Sequence, residues 1–179
     1  MNRTEIEMTL SADRNWLLET LSGMSEQQLN KGVTPSEHDG GATMWSYKDH
    51  FVHLALIEFN FNAMVRRFIA GHESPVRIGG GDIVSRSREE LMASVHLMTE
   101  EWKQEHEAKT WDEVVAVGQK ARGETLSLLS ELTDEQFQMT IPGAPWAEGI
   151  VGGILAANAG HGRMHFKWAK EGEAALANA

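Results

Sequence analysis

His161 and His165 stand four residues apart in the segment Gly160-His-Gly-Arg-Met-His165, and side chains at that spacing share one face of a helix. Two imidazoles so placed can converge on a single divalent ion at about 2.0–2.1 Å, the arrangement found in helical zinc sites. At about 100° per residue, Ile154, Ala157, Met164, His165 and Trp168 fall within about 60° of His161, and Arg163, Lys167 and Lys170 fall opposite. The pair is therefore predicted on the inner stripe of a last helix. Gly160 and Gly162 flank His161, where each glycine costs roughly 1 kcal/mol relative to alanine in a helix interior; close packing or an open coordination side would account for them. A third ligand must come from elsewhere. His50 and His53 lie on an earlier helix whose apolar side is Leu54, Ile57, Phe61, Met64 and Phe68, and both fall within about 60° of its centre. Spacing leaves both open. His38, His72, His96 and His106 read as surface residues.

Composition narrows what such a site can be. The 179 residues include no cysteine, so a metal must use His, Asp or Glu, and the chain supplies no thiol nucleophile. The formal charge of -10 opposes phosphate backbones and anionic lipid surfaces, which favours a small-molecule substrate over nucleic acid or membrane. The start MNRTEIEMTL has no apolar core of a signal peptide, and no apolar run approaches the roughly 20 residues of a spanning helix. A single cytoplasmic domain over residues 1–179 is expected, with a frayed tail over 173–179.

Helices must position the histidines, and helix starts are frequent. Thr4 with Glu7, Ser25 with Gln28, Ser46 with Asp49, Ser87 with Glu90, Thr110 with Glu113 and Thr133 with Gln136 have capping-box spacing. Strand alternation is nearly absent. Helices are predicted from about Glu5 to Leu21, Tyr47 to Ala70, Ser87 to Glu107 and Thr110 to Leu132, with a last one from near Gly149 to about Gly172; Pro75 and the Gly79-Gly80-Gly81 run mark a loop. The segment Leu21-Ser-Gly-Met-Ser-Glu-Gln-Gln-Leu29 is echoed by Leu129-Ser-Glu-Leu-Thr-Asp-Glu-Gln-Phe137, each ending a helix and opening a short turn. Each is followed by a tryptophan, Trp45 or Trp146, and then by a histidine-bearing helix. The echo suggests an all-α fold with a four-helix core and an inserted segment between its halves.

Trp45-Ser-Tyr-Lys-Asp-His-Phe-Val-His53-Leu54, taken with Gly160-His-Gly-Arg-Met-His165, resembles the DinB/YfiT-like superfamily of metal-dependent enzymes over nearly the whole chain. That resemblance implies a four-helix up-down-down-up bundle, here with an additional helical segment between the second and third core helices. It selects His53 over His50 and implies that His53, His161 and His165 hold zinc or nickel. It also brings the activities of thiol-dependent S-transferases and of mycothiol-dependent maleylpyruvate isomerase, hence a low-molecular-weight thiol, and a homodimer. Met164 stands where many members carry a further histidine. Gly162 takes the Glu position of His-Glu-x-x-His, so a zincin peptidase mechanism is not expected. Three neutral imidazoles leave positions open on the metal, which suits a transferase or isomerase acting on a small electrophile, and equally a hydrolase. A non-catalytic binding or stress protein is the alternative from another class. Asp49, Asn158 and His50 are the candidate supporting or catalytic groups, since a metal-bound histidine normally gives its other N–H to a partner. For Asp49, simple helix-start electrostatics is the competing role. Trp146 and Trp168 are candidates to line a pocket.

Overall fold

The computed structural model describes residues 2–78, 81–83 and 86–178. Five of the predicted capping boxes open helices: Ser25/Gln28 at α2 (Glu26–Asn30), Ser46/Asp49 at α3 (Tyr47–Ile69), Ser87/Glu90 at α4 (Arg88–His106), Thr110/Glu113 at α5 (Trp111–Glu131) and Thr133/Gln136 at α6 (Asp134–Gln138). In each, the cap hydroxyl accepts from the third backbone N–H while the third side chain accepts from the cap N–H. The first helix differs. α1 (Arg3–Ser22) is opened by Asn2 with Glu5 rather than Thr4 with Glu7, in keeping with the stronger capping preference of asparagine over threonine.

The last helix is two helices, α7 (Val151–Ala156) and α8 (His161–Ala177). Between them the chain turns, and Gly160 precedes α8 with φ of 82°, a conformation glycine adopts without steric penalty. Gly160 thus belongs to a backbone break, and the helical wheel does not carry Ile154 and Ala157 through to His161. Within α8 the inner face centres on Gly162, His165 and Ala169, which leaves Met164 and Trp168 on the exposed edge. A Cβ on Gly162 would lie 3.0 Å from Leu17 Cδ2 and 3.2 Å from Asp13 Oδ2, so close packing accounts for that glycine. Helix α8 also runs through most of the tail expected to fray.

Helices carry most of the described chain, and the all-α expectation holds at that level. The exceptions are two short antiparallel pairs, β1 (Gly32–Pro35) with β2 (Met44–Ser46) and β3 (Arg77–Ile78) with β4 (Gly81–Asp82). Of the three-glycine loop, Gly79 and Gly80 lie outside the described residues and Gly81 begins β4. The two echoed segments behave alike: each closes a long helix and opens a five-residue helix, α2 or α6, instead of a plain turn. No helix of the described residues is long and apolar enough to cross a membrane.

Helix α3 lies centrally, in contact with α4, α5, α7 and α8, and it is buried along most of its length. The apolar core falls into two clusters. One gathers Ile6 and Leu10 of α1, Phe61 and Val65 of α3, and Leu128 and Leu129 of α5; the other gathers Leu17 and Leu21, Phe51 and Val52, and Val114 of the same helices. Along each helix a charged residue stands between the two groups: Arg14, Glu58 and Arg122, all buried. Glu58, only 1% exposed, accepts from Arg14 Nη2 at 2.7 Å, from Arg122 Nη2 at 2.6 Å and from Thr125 Oγ1 at 3.2 Å. Arg122 also donates to the Leu10 carbonyl. Removing one partner from such a set leaves unpaired buried charge, whereas apolar replacement of the whole set is often tolerated. We expect Glu58→Ala to lose about 3–5 kcal/mol in urea denaturation, and the triple change of Arg14, Glu58 and Arg122 to Met to lose clearly less.

Candidate metal centre

His53 lies on α3, two turns into a helix whose N-cap, Ser46, immediately follows Trp45 of β2. His161 is the first residue of α8, and His165 lies one turn on. The three offer ligand nitrogens that all lie within 4.8 Å of one another, so the group can hold a metal ion. His161 Nε2 and His165 Nε2 are 3.1 Å apart, close to the roughly 3 Å expected of two nitrogens at about 2.0–2.1 Å from one ion. The His53 and His165 rings are 4.7 Å apart between centroids. His53 Nδ1 is buried without a hydrogen-bond partner, a polar atom whose burial goes uncompensated by the protein.

Burial sets the charge state of these rings. Desolvation lowers the His50 pKa from an ordinary 6.5 to about 4, and lowers His53 to about 3 with the further help of His161 and His50. His165 is pushed down in the same direction by desolvation and by the neighbouring histidines. His161 is lowered by desolvation too, against the opposing pull of Glu58 and Asp13. All four are neutral near pH 7, the form that ligates metals. Three neutral imidazoles with an orphaned buried nitrogen among them are a donor set that fits a divalent metal ion.

The other predicted site residues fall as follows. His50 adjoins the group: its Nδ1 is 2.9 Å from His165 Nδ1 and its Nε2 is 2.9 Å from Thr34 Oγ1. Asn158 does not share a helix with His161, because it lies in the break before α8; it is nevertheless buried beside it, lining a cavity of about one water's size with Asp13, Arg14 and Glu58. Asn158 Nδ2 has no hydrogen-bond partner there. Asp49 caps α3, its Oδ2 accepting from Ser46 N at 2.8 Å and Ser46 Oγ at 2.7 Å, and among the described residues no hydrogen bond joins it to His53. Helix capping is its observed role. Trp146 packs on Phe61 in the core, away from the histidines.

A cavity of about 450 Å³ opens onto His50, His53 and His165, with Trp45 and Trp168 among its walls. Glu100 of α4 forms part of it, a residue that sequence reasoning missed. Its Oε1 accepts from Ser36 Oγ at 2.5 Å and from Trp45 Nε1 at 2.6 Å. Burial alone would raise the Glu100 pKa, but these bonds and Lys103 outweigh it and hold the carboxyl below its ordinary range. His38 and His96, expected at the surface, also border the cavity. His106 is corrected outright: it is 7% exposed, with Nδ1 2.8 Å from the Trp102 carbonyl and its ring against the indole. The spacing Val95, Thr99, Trp102, His106 was the signal that this face of α4 turns inward.

Since the unfolded chain takes up protons near pH 6.5 and the folded one resists until about pH 4 for His50 and about pH 3 for His53, stability must fall as pH drops through that window. The slope approaches about 1.4 kcal/mol per pH unit for each such histidine. Chelator-treated protein followed by circular dichroism in urea should lose stability below about pH 6.5, and replacing His50 and His53 by Phe should flatten that dependence.

Comparison with known proteins identifies the family. A model of the DinB superfamily matches residues 9–169. One solved structure, the crystal structure of an uncharacterised protein from Escherichia coli UTI89, is similar over 95% of this chain and 94% of that one, with a TM-score of 0.59 and 18% identity. At that identity the likeness concerns the fold alone. No curated protein matches the chain. With the family model covering nearly the whole sequence, including Trp45, His53, His161 and His165, the chain belongs to the DinB superfamily.

Proposed function

We propose that this protein is a metal-dependent enzyme, with zinc or nickel held by His53, His161 and His165, that joins a low-molecular-weight thiol to a small electrophile or isomerises one with its help. The up-down-down-up bundle of the superfamily is part of that reading. The observation that carries it is the convergence of three neutral imidazoles, two of which, His53 and His165, line an open cavity. When bound, such an ion supplies the Lewis acidity that turns a thiol into a thiolate nucleophile near neutral pH. The chain has no cysteine, so the thiol must arrive as a co-substrate.

The protein's own residues would do the rest. Trp45 and Trp168 present apolar walls on which an uncharged substrate body can lie, and the Glu100 bond to Trp45 Nε1 fixes the first of them. No Lys or Arg lines the cavity among the described residues, while Glu37, Glu100 and Glu171 do. This balance disfavours substrates whose tail carries carboxylates. In a transfer, the carbon–sulfur bond forms as the bond to the leaving group breaks, and the thiol proton is released to solvent or to the leaving group.

Protein purified without nickel chromatography and dialysed against zinc should bind close to one equivalent, and His161→Ala or His53→Ala should reduce binding by at least about 10-fold. A panel of electrophiles with neutral, cationic and anionic thiols should show metal-dependent substrate loss, greatest with thiols lacking carboxylates. Metal binding without turnover, together with saturable ligand binding, would assign a binding or stress protein; turnover without any thiol would assign a hydrolase.

A further inference from the structure

We infer that His50 and Thr34 form a relay that sets the tautomer of His165 and so decides whether the nitrogen facing the metal carries a free lone pair; His50 is thereby a positioning residue of the centre. This rests on the metal-centre reading above. The three ligands are brought together by α3 and α8 alone, yet the contacts continue past them. His165 Nδ1 meets His50 Nδ1 at 2.9 Å, and His50 Nε2 meets Thr34 Oγ1 at 2.9 Å. Two ring nitrogens at that distance share one proton, and a neutral imidazole carries one N–H, so the whole chain has two self-consistent proton arrangements. In the first, His165 Nδ1–H donates to His50 Nδ1 and His50 Nε2–H donates to the Thr34 hydroxyl. His165 Nε2 is then a free lone pair directed at His161 Nε2, 3.1 Å away, where a shared ion can lie. In the second, every donor reverses: Thr34 donates to His50, His50 donates to His165, and His165 Nε2–H points at His161.

Only the first arrangement permits ligation through His165 Nε2. The two carry the same net charge: in passing from the second to the first, His165 Nε2 releases its proton to solvent, His50 Nδ1 gives its proton to His165 Nδ1, Thr34 gives its proton to His50 Nε2, and solvent restores the Thr34 hydroxyl. Metal binding selects the first, and the hydroxyl of Thr34 rotates to follow.

Gly172 allows β1 to supply that hydroxyl. A Cβ at position 172 would collide with the Val33 carbonyl and lie 3.3 Å from Thr34 Oγ1, so the glycine is what lets β1 rest against α8 with Thr34 in reach of His50. Neither Thr34 nor Gly172 has a ligating atom of its own in the histidine group.

Partners of metal-bound histidines typically change metal affinity by about 10–100-fold when removed. Zinc affinity measured by chelator competition should fall by about that factor in His50→Leu, recover in part in His50→Gln, whose amide oxygen can accept from His165 Nδ1–H, and fall by a smaller factor in Thr34→Val. The double variant Thr34→Val/His50→Leu should be no weaker than His50→Leu alone, because Thr34 acts through His50. Nitrogen-15 NMR of the zinc-loaded protein should show the His165 proton on Nδ1. Wild-type zinc affinity retained within about twofold in His50→Leu, additive losses in the double variant, or a His165 proton on Nε2 in the zinc form would each overturn the relay and leave the metal centre standing. No zinc binding by the unaltered protein would overturn both.

Discussion

The Glu58 carboxylate sits at the middle of the molecule between two guanidinium groups, and a charge at that depth has to be met in full. Satisfying it fixes the axial register of α1, α3 and α5 together, since Arg14, Arg122 and Thr125 must all reach the same two oxygens. The apolar clusters above and below contribute most of the burial, but an apolar contact tolerates sliding in a way that a hydrogen-bonded ion set does not. Once α3 is fixed at Glu58, His53 is fixed five residues toward its N-terminus, and the α8 face carrying Gly162 has one place to seat, against Leu17 and Leu54.

That seating also tunes the site. His161 occupies the first position of α8, where the helix dipole is positive and disfavours an imidazolium. Glu58 and Asp13 pull the other way, yet desolvation is the larger effect and the ring stays neutral. On the outer side, Arg163 Nε stands 2.8 Å from Asp13 Oδ1, close enough to pair although too misaligned to count as a hydrogen bond, and its guanidinium covers the Trp16 ring at 4.1 Å. The α8 start is thus clamped to α1 on one flank and to α3 on the other. Ligand nitrogens held this firmly need little rearrangement to bind an ion.

Much of this was readable from residue types. Helix starts announced themselves because a capping box is a local device whose energetics involve four residues. The histidine pair was readable because i, i+4 proximity survives in any helix, broken or not. The break before His161 was not readable: a glycine costs only about 1 kcal/mol inside a helix, so Gly160 is compatible with continuity as well as with interruption. Extending the wheel across it misplaced Met164 and Trp168. The buried ion cluster had a legible trace, with Arg14 on the stripe of Leu10, Leu17 and Leu21 and Glu58 on that of Leu54, Phe61 and Val65; charge in an apolar stripe signals a buried partner without naming it. His50 and Asp49 show the remaining limit. Both lie near the ligand face of α3, and only the position of β1 and of the helix cap tells which one serves His165 and which one closes the helix.

The distribution of ligands along the chain has a consequence for biosynthesis. His53 is made about a hundred residues before His161, an interval of roughly 5–20 s at ordinary translation rates. In the last third of it, once Thr125 has been made, the ion set of α1, α3 and α5 is complete in sequence, while α8 does not yet exist. The nascent protein can therefore assemble its charged keystone and shelter α3 before the second member of the three-histidine group has been made. Scaffold and metal site are separable in time, and the late helix closes onto a cleft that earlier elements have built.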